Sequence, residues 1–332
     1  METVLFEAYL LPLLIAPLAL AWGGERFVDG ASALSRNLGV EPLMIGVLVM
    51  GFGTSLPEFL VSVFASTVGN PGLALGNAYG SNIINIGIVL GLAAILSPVT
   101  VRNNVVRREL PLLLLATALT AYFVIDGQLL RGEAVVLVVL FLVLLAYLSR
   151  DSLQQRAPGQ GGEKGQIAFE KTPALSLGRS IIYLAIGLLV IALSAAALVW
   201  GARGIIADLG VSEAVVAVVV LALGTSLPEL VVIIVAARRG SHALAFGNVI
   251  GSNLFNTLAV VGTAAFIAPA TLSSELVSRD LPVMFAFTAV LLVMAYGWGR
   301  RTGVINKAEG AVLLLAVVAY LAYLVYQTPI LA

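Results

Sequence analysis

The feature that most constrains the fold is a series of ten apolar stretches that run through almost the whole 332-residue chain. Most of them reach the roughly 20 residues that a helix needs to cross a bilayer. They lie near residues 5–30, 42–66, 71–97, 109–125, 132–149, 174–200, 213–237, 242–268, 281–298 and 308–327. Only 11% of the residues are charged, against about a quarter in soluble domains. The sequence therefore predicts an all-α polytopic membrane protein with ten transmembrane helices.

The basic residues are divided unevenly between the loops of this ten-span arrangement. One alternating set of loops holds only Arg131, Arg203 and Arg279, and the other set holds the remaining 15 of the 18 Lys and Arg residues. By the positive-inside rule, the basic set is cytoplasmic and both termini are extracellular. The N-terminus is acidic where a signal peptide would be basic, so the first stretch is expected to remain as a helix. So compact a chain suits the plasma membrane of a prokaryote.

A duplication lies behind this pattern, because the hexapeptide GTSLPE occurs at 53–58 and again at 224–229, an offset of 171 residues. The same offset aligns GNAYGSNIIN at 76–85 with GNVIGSNLFN at 247–256. Repetition at a fixed offset indicates two copies of one structural unit.

The duplication predicts two repeats of five helices each. The first is residues 1–149, with its motif region at 51–91, and the second is residues 174–332, with its motif region at 222–262. Residues 150–173 are polar and rich in Gly, and they read as a flexible cytoplasmic linker. Because five is odd, the second repeat enters the membrane from the opposite side. Inverted repeats of this kind are typical of secondary transporters, which bind substrate near the midplane.

Each GTSLPE motif predicts a broken helix that carries an acid in mid-membrane. Pro57 lacks an N–H, so it leaves the carbonyl of Gly53 unbonded. Thr54 and Ser55 lie four and three residues before Glu58, a spacing that predicts one shared helical face. Thr225, Ser226 and Glu229 repeat this arrangement. Carboxylate, hydroxyl and freed carbonyl oxygens suit Ca2+ or Na+ and suit soft metals poorly, with Glu58, Glu229, Thr54 and Thr225 as the expected metal ligands.

A second polar stripe recurs every four residues in the third and eighth spans. Its members are Asn77, Ser81 and Asn85, and Asn248, Ser252 and Asn256. Isolated Ser and Asn residues in membranes more often hydrogen-bond between helices than bind ions. A buried mid-membrane Glu is different, because its burial is costly and usually marks an ion pathway. Two such residues in duplicate motifs favour an ion site.

The remaining polar residues are expected to be solvated at the membrane boundaries. This expectation covers His242 and the acids Glu25, Asp29, Glu41, Glu109, Asp126, Glu133, Glu213 and Asp280. The chain has no Cys, which excludes disulfides and thiolate metal sites. It also lacks a GxxxxGK[ST] loop, so ATP is not expected to supply the energy.

With GTSLPE followed by GNxxGSN in both halves, the sequence resembles the sodium/calcium exchanger branch of the calcium/cation antiporter superfamily. The resemblance spans nearly the whole chain. It implies that ions bind at residues matching the family's site: Thr54, Ser55, Glu58, Ser81, Asn85, Thr225, Ser226, Glu229, Ser252 and Asn256. Many exchangers have Asp where this chain has Asn256, so Glu58 and Glu229 remain as the core carboxylates.

The function expected from these residues is exchange of Ca2+ for Na+ by alternating access. Small cations and the lipid bilayer are the expected partners. No cofactor, nucleic acid or ATP is expected to bind, and the residues identify no protein partner. A proton-coupled, potassium-dependent or manganese antiporter on the same scaffold is the main alternative, and a channel is another. An intramembrane enzyme with two opposed acids is a distant one, since no nucleophile–base set accompanies them. The protein is therefore not expected to be an enzyme.

Overall fold

The computed structural model of the protein describes residues 2–154, 174–208, 222–296 and 302–327. The helices there are α1 (Glu2–Leu38), α2 (Pro42–Thr54), α3 (Leu56–Thr67), α4 (Pro71–Leu96), α5 (Asn103–Phe123), α6 (Arg131–Gln154), α7 (Leu177–Asp208), α8 (Ala222–Thr225), α9 (Leu227–Arg238), α10 (His242–Ile267), α11 (Leu276–Ala295) and α12 (Lys307–Gln327). Four short strands lie between them: β1 (Val99–Arg102), β2 (Gln128–Leu129), β3 (Ala270–Thr271) and β4 (Thr302–Ile305). The predicted helical membrane fold is confirmed.

Seven of these helices are long and apolar enough to cross a membrane, and the bent pair of α2 and α3 adds an eighth. The predicted span at 109–125 corresponds to α5, whose 21 residues would reach about 30 Å. The predicted span at 213–237 corresponds to α8 and α9, and its residues 213–221 lie outside the described part of the chain. So do residues 155–173 of the predicted linker, whereas residues 150–154 continue α6.

The short strands connect loops of this helical fold. They form two antiparallel pairs, β1 with β4 and β2 with β3. Val99 of β1 is paired with Ile305, and Leu129 of β2 is paired with Ala270. Each strand is too short to be identified from an alternating pattern of apolar and polar residues. Each strand also forms its hydrogen bonds with a strand that is distant in the sequence.

Helices α4 and α10 form the centre of the protein. The most apolar windows of α4 and α10 are 72% and 83% buried, whereas the corresponding windows of the other candidate spans are 17–33% buried. The long helices α1 and α7 lie against each other at glycines. A Cβ added to Gly30 would lie 2.6 Å from the backbone N of Leu184, and one added to Gly187 would lie 2.5 Å from that of Phe27.

Two acids that were expected to be solvated are in fact buried. Asp29 is 4% exposed and is paired with Arg239, and Glu109 is 3% exposed beside Arg108. Hydropathy places both residues near a membrane boundary, but a basic side chain from a tertiary or sequence neighbour lets each acid leave solvent. The predicted solvation of Glu213 concerns a residue outside the described ranges.

Candidate functional site

Both GTSLPE motifs break their helices at the serine. Helices α2 and α3 are bent by 43° at Ser55, where φ is −85° and ψ is 9°. Ser226 has nearly the same backbone geometry between α8 and α9, with φ −85° and ψ 4°. Pro57 and Pro228 lie in the first turn of the helix that follows, where a missing N–H costs little. The predicted broken helices are confirmed, and the break precedes each proline.

The central carboxylates, Glu58 and Glu229, lie in the first turn after each break, and both are 0% exposed. They are close enough to repel each other electrostatically. In the described residues no group of three or more Asp, Glu, His or Cys side chains could hold a metal ion. The acidic part of the site is therefore this pair, supplemented by neutral oxygens.

Glu229 is held by hydroxyls from both repeats. Its Oε1 accepts a hydrogen bond from Ser55 Oγ at 2.7 Å and another from Ser252 Oγ at 3.3 Å. Ser252 Oγ is also 3.1 Å from the carbonyl oxygen of Gly51. Ser55 belongs to the first repeat and Glu229 to the second, so the two motifs interlock. Ser55 is the N-cap residue of the helix that carries Glu58, and its hydroxyl bonds to the acid of the other repeat.

Thr54 extends the same cluster. Its hydroxyl donates to Asn248 Oδ1 at 3.3 Å and lies 3.4 Å from Ser252 Oγ. The close approach of α2 and α10 depends on glycine, since a Cβ on Gly251 would lie 2.3 Å from the carbonyl oxygen of Val47. Four residues expected at the ion site are thus in one hydrogen-bonded cluster: Thr54, Ser55, Ser252 and Glu229.

The corresponding residues around Glu58 are less fully bonded. Thr225 and Ser226 lie near the Glu58 carboxylate, but neither hydroxyl reaches it with hydrogen-bond geometry. Asn77 Nδ2 donates to the main-chain oxygen of Glu58 at 3.3 Å, not to the carboxylate. Among the ten expected ion ligands, these buried oxygens have no hydrogen-bond partner within the described ranges: both carboxylate oxygens of Glu58, Oε2 of Glu229, Oγ of Ser81 and Ser226, Oγ1 of Thr225, and Oδ1 of Asn85 and Asn256.

Asn85 and Asn256 lie where the central helices widen into π-helical turns. These turns cover Asn85–Leu90 in α4 and Phe255–Val260 in α10. Turns of this type are rare and often occur at functional sites, because the wider turn changes the direction of side chains and carbonyls. Both asparagines are 0% exposed, so their amide groups are directed into protein. The duplicated motifs predicted these two residues but not the π-helical turns.

Asn82, Asn253 and Thr257 were not predicted, and they are buried polar residues beside this centre. All three are at most 1% exposed. Asn82 Nδ2 donates to Thr257 Oγ1 at 2.8 Å, and Asn253 Oδ1 accepts from Asn85 Nδ2 at 3.2 Å. The duplication of GSN at 80–82 and 251–253 was the available signal.

The comparison with protein families decides the identity. The sequence model described as "Sodium/calcium exchanger protein" matches residues 8–150 and 179–328. The chain belongs to this family. The resemblance seen in the duplicated motifs is thereby confirmed, and this exchanger is a multi-pass membrane protein of a cation-antiport family.

Individual relatives agree with this assignment. The exchanger is 38% identical to the putative antiporter CaxA of Alkalimonas amylolytica, over 95% of this chain and 98% of the relative. It is 30% identical to the sodium/calcium exchanger MaX1 of Methanosarcina acetivorans, over 95% and 97% of the two chains. A solved structure of the sodium-calcium exchanger NCX_Mj, soaked with Na+ and Sr2+, superposes with a TM-score of 0.81 at 30% identity, covering 95% of this chain and 98% of that one.

Proposed function

We propose that this exchanger is a secondary antiporter that moves Ca2+ in exchange for Na+, by alternating access at a site near the membrane midplane. The observation that carries the proposal is the buried pair of Glu58 and Glu229, each directly after a helix break. Two relatives support the ion pair, since MaX1 and NCX_Mj are both named sodium/calcium exchangers.

The proposed ion ligands are the ten residues predicted from the motifs. Most of their oxygens are buried, and several have no partner in the described part of the chain, including both carboxylate oxygens of Glu58. An unpartnered carboxylate in a low-dielectric interior is costly, and a bound cation would remove that cost. Carboxylate, hydroxyl and amide oxygens form the hard ligand set that suits Ca2+ and Na+. No other cofactor is proposed.

Charge neutralisation explains why such a site would exchange ions and not leak them. With both Glu58 and Glu229 ionised and the site empty, repulsion and desolvation disfavour movement between the outward- and inward-open states. One Ca2+ or two Na+ would cancel the two charges. Each net charge moved is worth about 2.3 kcal/mol per 100 mV, so a ratio above two Na+ per Ca2+ would let the membrane potential drive extrusion.

The strand pairs support a ten-span arrangement of two inverted repeats. Strand β1 follows the third predicted span and pairs with β4, which precedes the tenth; β2 follows the fourth and pairs with β3, which follows the eighth. With ten spans, the third and ninth loops share one side, and the fourth and eighth share the other. If there were one span fewer between α6 and α10, the two strands of each pair would lie on opposite sides of the membrane.

The proposed location is the plasma membrane of a prokaryote, with both termini extracellular and the linker after α6 cytoplasmic. The distribution of Lys and Arg supports this orientation. Small cations and lipid are the proposed partners, and ATP and nucleic acid have no proposed role. The protein is proposed to be a transporter without enzymatic activity, in keeping with its family.

A second candidate, coupling to protons or potassium in place of sodium, rests on Asn256. This residue supplies an amide where many exchangers have Asp, which leaves two acids in the site. Fewer acids reduce the positive charge that can be bound at one time, so a different counter-ion or ratio would fit the same scaffold.

The test is uptake of radiolabelled Ca2+ into proteoliposomes loaded with Na+, with proton and K+ gradients as parallel arms. Uptake driven by the Na+ gradient alone is expected. Glu58→Gln and Glu229→Gln are expected to abolish it, whereas the exposed Glu275→Gln should not. Uptake driven by protons or K+ alone would overturn the sodium coupling and favour the second candidate. If Ca2+ is not taken up in any of the three arms, the proposed calcium exchange is contradicted.

A further inference from the structure

We propose that Asn253 is a positioning residue of the ion site, which acts by fixing the direction of the Asn85 amide. The inference rests on the proposed function, in which Asn85 is an ion ligand. Asn85 Nδ2 donates to Asn253 Oδ1 at 3.2 Å, and the two side chains are 0% and 1% exposed. The contact joins α4 of the first repeat to α10 of the second.

The direction of an asparagine amide decides whether it can bind a cation, because its oxygen can be a ligand and its NH2 group cannot. Since the NH2 group of Asn85 is bound to Asn253, the oxygen of Asn85 is directed to the opposite side of the amide. That oxygen is buried and has no hydrogen-bond partner in the described residues. Asn253 thus holds Asn85 with a free oxygen available to an ion.

The equivalent contact is missing in the other repeat, where the offset of 171 relates Asn253 to Asn82 and Asn85 to Asn256. Asn82 Nδ2 donates to Thr257 Oγ1 at 2.8 Å. Among the described residues, neither amide atom of Asn256 has a hydrogen-bond partner. The amide of Asn85 is therefore held in one direction, and that of Asn256 is not. Asn82 provides a natural control for Asn253.

The position of Asn253 on α10 suits this role. The preceding residue, Ser252, bonds to Glu229 and to the Gly51 carbonyl, so successive residues of α10 contact two parts of the site. Asn85 is the first residue of the π-helical turn in α4, and its backbone keeps helical angles, with its N–H bonded to the carbonyl oxygens of Ser81 and Asn82. The backbone does not fix the rotation of the side-chain amide, so the contact with Asn253 on α10 sets the direction of that amide.

The experiment compares Asn253→Leu with Asn82→Leu in the sodium-driven calcium uptake assay, after each variant has been shown to be monodisperse by size-exclusion chromatography. Asn253→Leu is expected to raise the KM for Ca2+ about three- to tenfold with little change in maximal rate. Asn82→Leu removes a hydrogen bond of the same kind that does not reach a proposed ligand, and its KM is expected to stay within about twofold of wild type. Asn253→Asp keeps the acceptor oxygen, so its KM should not rise.

A double-mutant cycle separates positioning from a general structural role. Asn85→Ala removes the ligand itself, so adding Asn253→Leu to it should cause no further rise in KM. If the two effects multiply, or if Asn253→Leu leaves KM unchanged, the inference is overturned. Should Asn253→Leu fail to fold, Asn253→Ala removes the same acceptor without bulk and carries the same expectation. Absence of exchange in the wild type would instead refute the proposed function, so the two failures are distinguishable.

Discussion

Arg239 donates a hydrogen bond from Nη1 to Oδ1 of Asp29, and this ion pair ties α1 to the C-terminal end of α9. The Asp29 side chain is 6% exposed and that of Arg239 is 24% exposed. Arg26 lies 3.7 Å from the other carboxylate oxygen of Asp29, and Glu25 lies 3.9 Å from Arg239. The offset of 171 puts Trp200 and Val68 at the equivalent positions, so this ion pair is not repeated there.

Loss of the arginine should destabilise the protein, because it leaves the buried Asp29 carboxylate with only the more distant Arg26. We expect Arg239→Gln to cost about 1–3 kcal/mol, seen as a lower Tm of the purified protein. The adjacent Arg238→Gln is the matched control, since Arg238 is exposed. Adding Asp29→Asn to Arg239→Gln should recover part of the loss. Equal Tm values for the two single variants would contradict the prediction.

The two serines at the helix breaks should respond differently to the loss of a hydroxyl in ion-free solution. Ser55 donates to the Glu229 carboxylate at 2.7 Å, whereas Ser226 Oγ is buried with no partner in the described residues. Removing a bonded donor costs about 1.5–3 kcal/mol when the acceptor is charged, but removing an unpartnered hydroxyl costs little or stabilises. Thermal unfolding in a chelator and choline buffer should therefore show a lower Tm for Ser55→Ala and no decrease for Ser226→Ala. The reverse order would count against the asymmetry of the site.

Neutralising Glu58 should stabilise the ion-free protein while it abolishes exchange. Neither Glu58 oxygen has a hydrogen-bond partner within the described ranges, and Glu229 repels this carboxylate. We expect Glu58→Gln to raise the ion-free Tm, because it removes both the repulsion and part of the desolvation cost. Added Ca2+ should raise the Tm of the wild type but not that of the variant, since a ligand stabilises only the state that binds it. Glu275→Gln, at an exposed position, should behave as wild type; a calcium-dependent rise as large as that of the wild type in the Glu58→Gln variant would contradict Glu58 as a ligand.

The sequence predicts the centre of the exchanger better than its connections. Glu58 and Glu229 could be identified because burying an acid in a membrane is costly and both occur in duplicated motifs. The hydrogen-bond partners of Ser55 and Thr54 could not be predicted from the sequence. The spacing rule concerns contacts along one helix, whereas Thr54 and Ser55 form hydrogen bonds with side chains on helices of the other repeat. Ser55 bonds to Glu229, 174 residues away.

Contacts between distant segments explain the other differences. Hydropathy places Asp29 near the membrane boundary, but Arg239, which buries it, is 210 residues further along the chain. The pairing of β1 with β4 and the bond between Asn85 and Asn253 likewise depend on how the two repeats pack together. A single sequence contains no direct signal for such pairings.

Packing between the repeats gives a last prediction, in which equivalent glycines should tolerate alanine to different degrees. A Cβ on Gly247 would lie 2.4 Å from the carbonyl oxygen of Leu43, whereas at Gly76, its equivalent at the offset of 171, the nearest atom is Leu276 Cδ1 at 3.6 Å. A backbone contact cannot move aside as a side chain can, so Gly247→Ala must push α2 away from α10. We expect it to cost about 1–3 kcal/mol or more and to impair exchange, because α2 carries Thr54 to Ser252. Gly76→Ala should fold with a Tm close to that of the wild type. Expression and Tm measurements on both variants check this, and equal tolerance at the two positions would show that α2 and α10 do not lie in the close contact described.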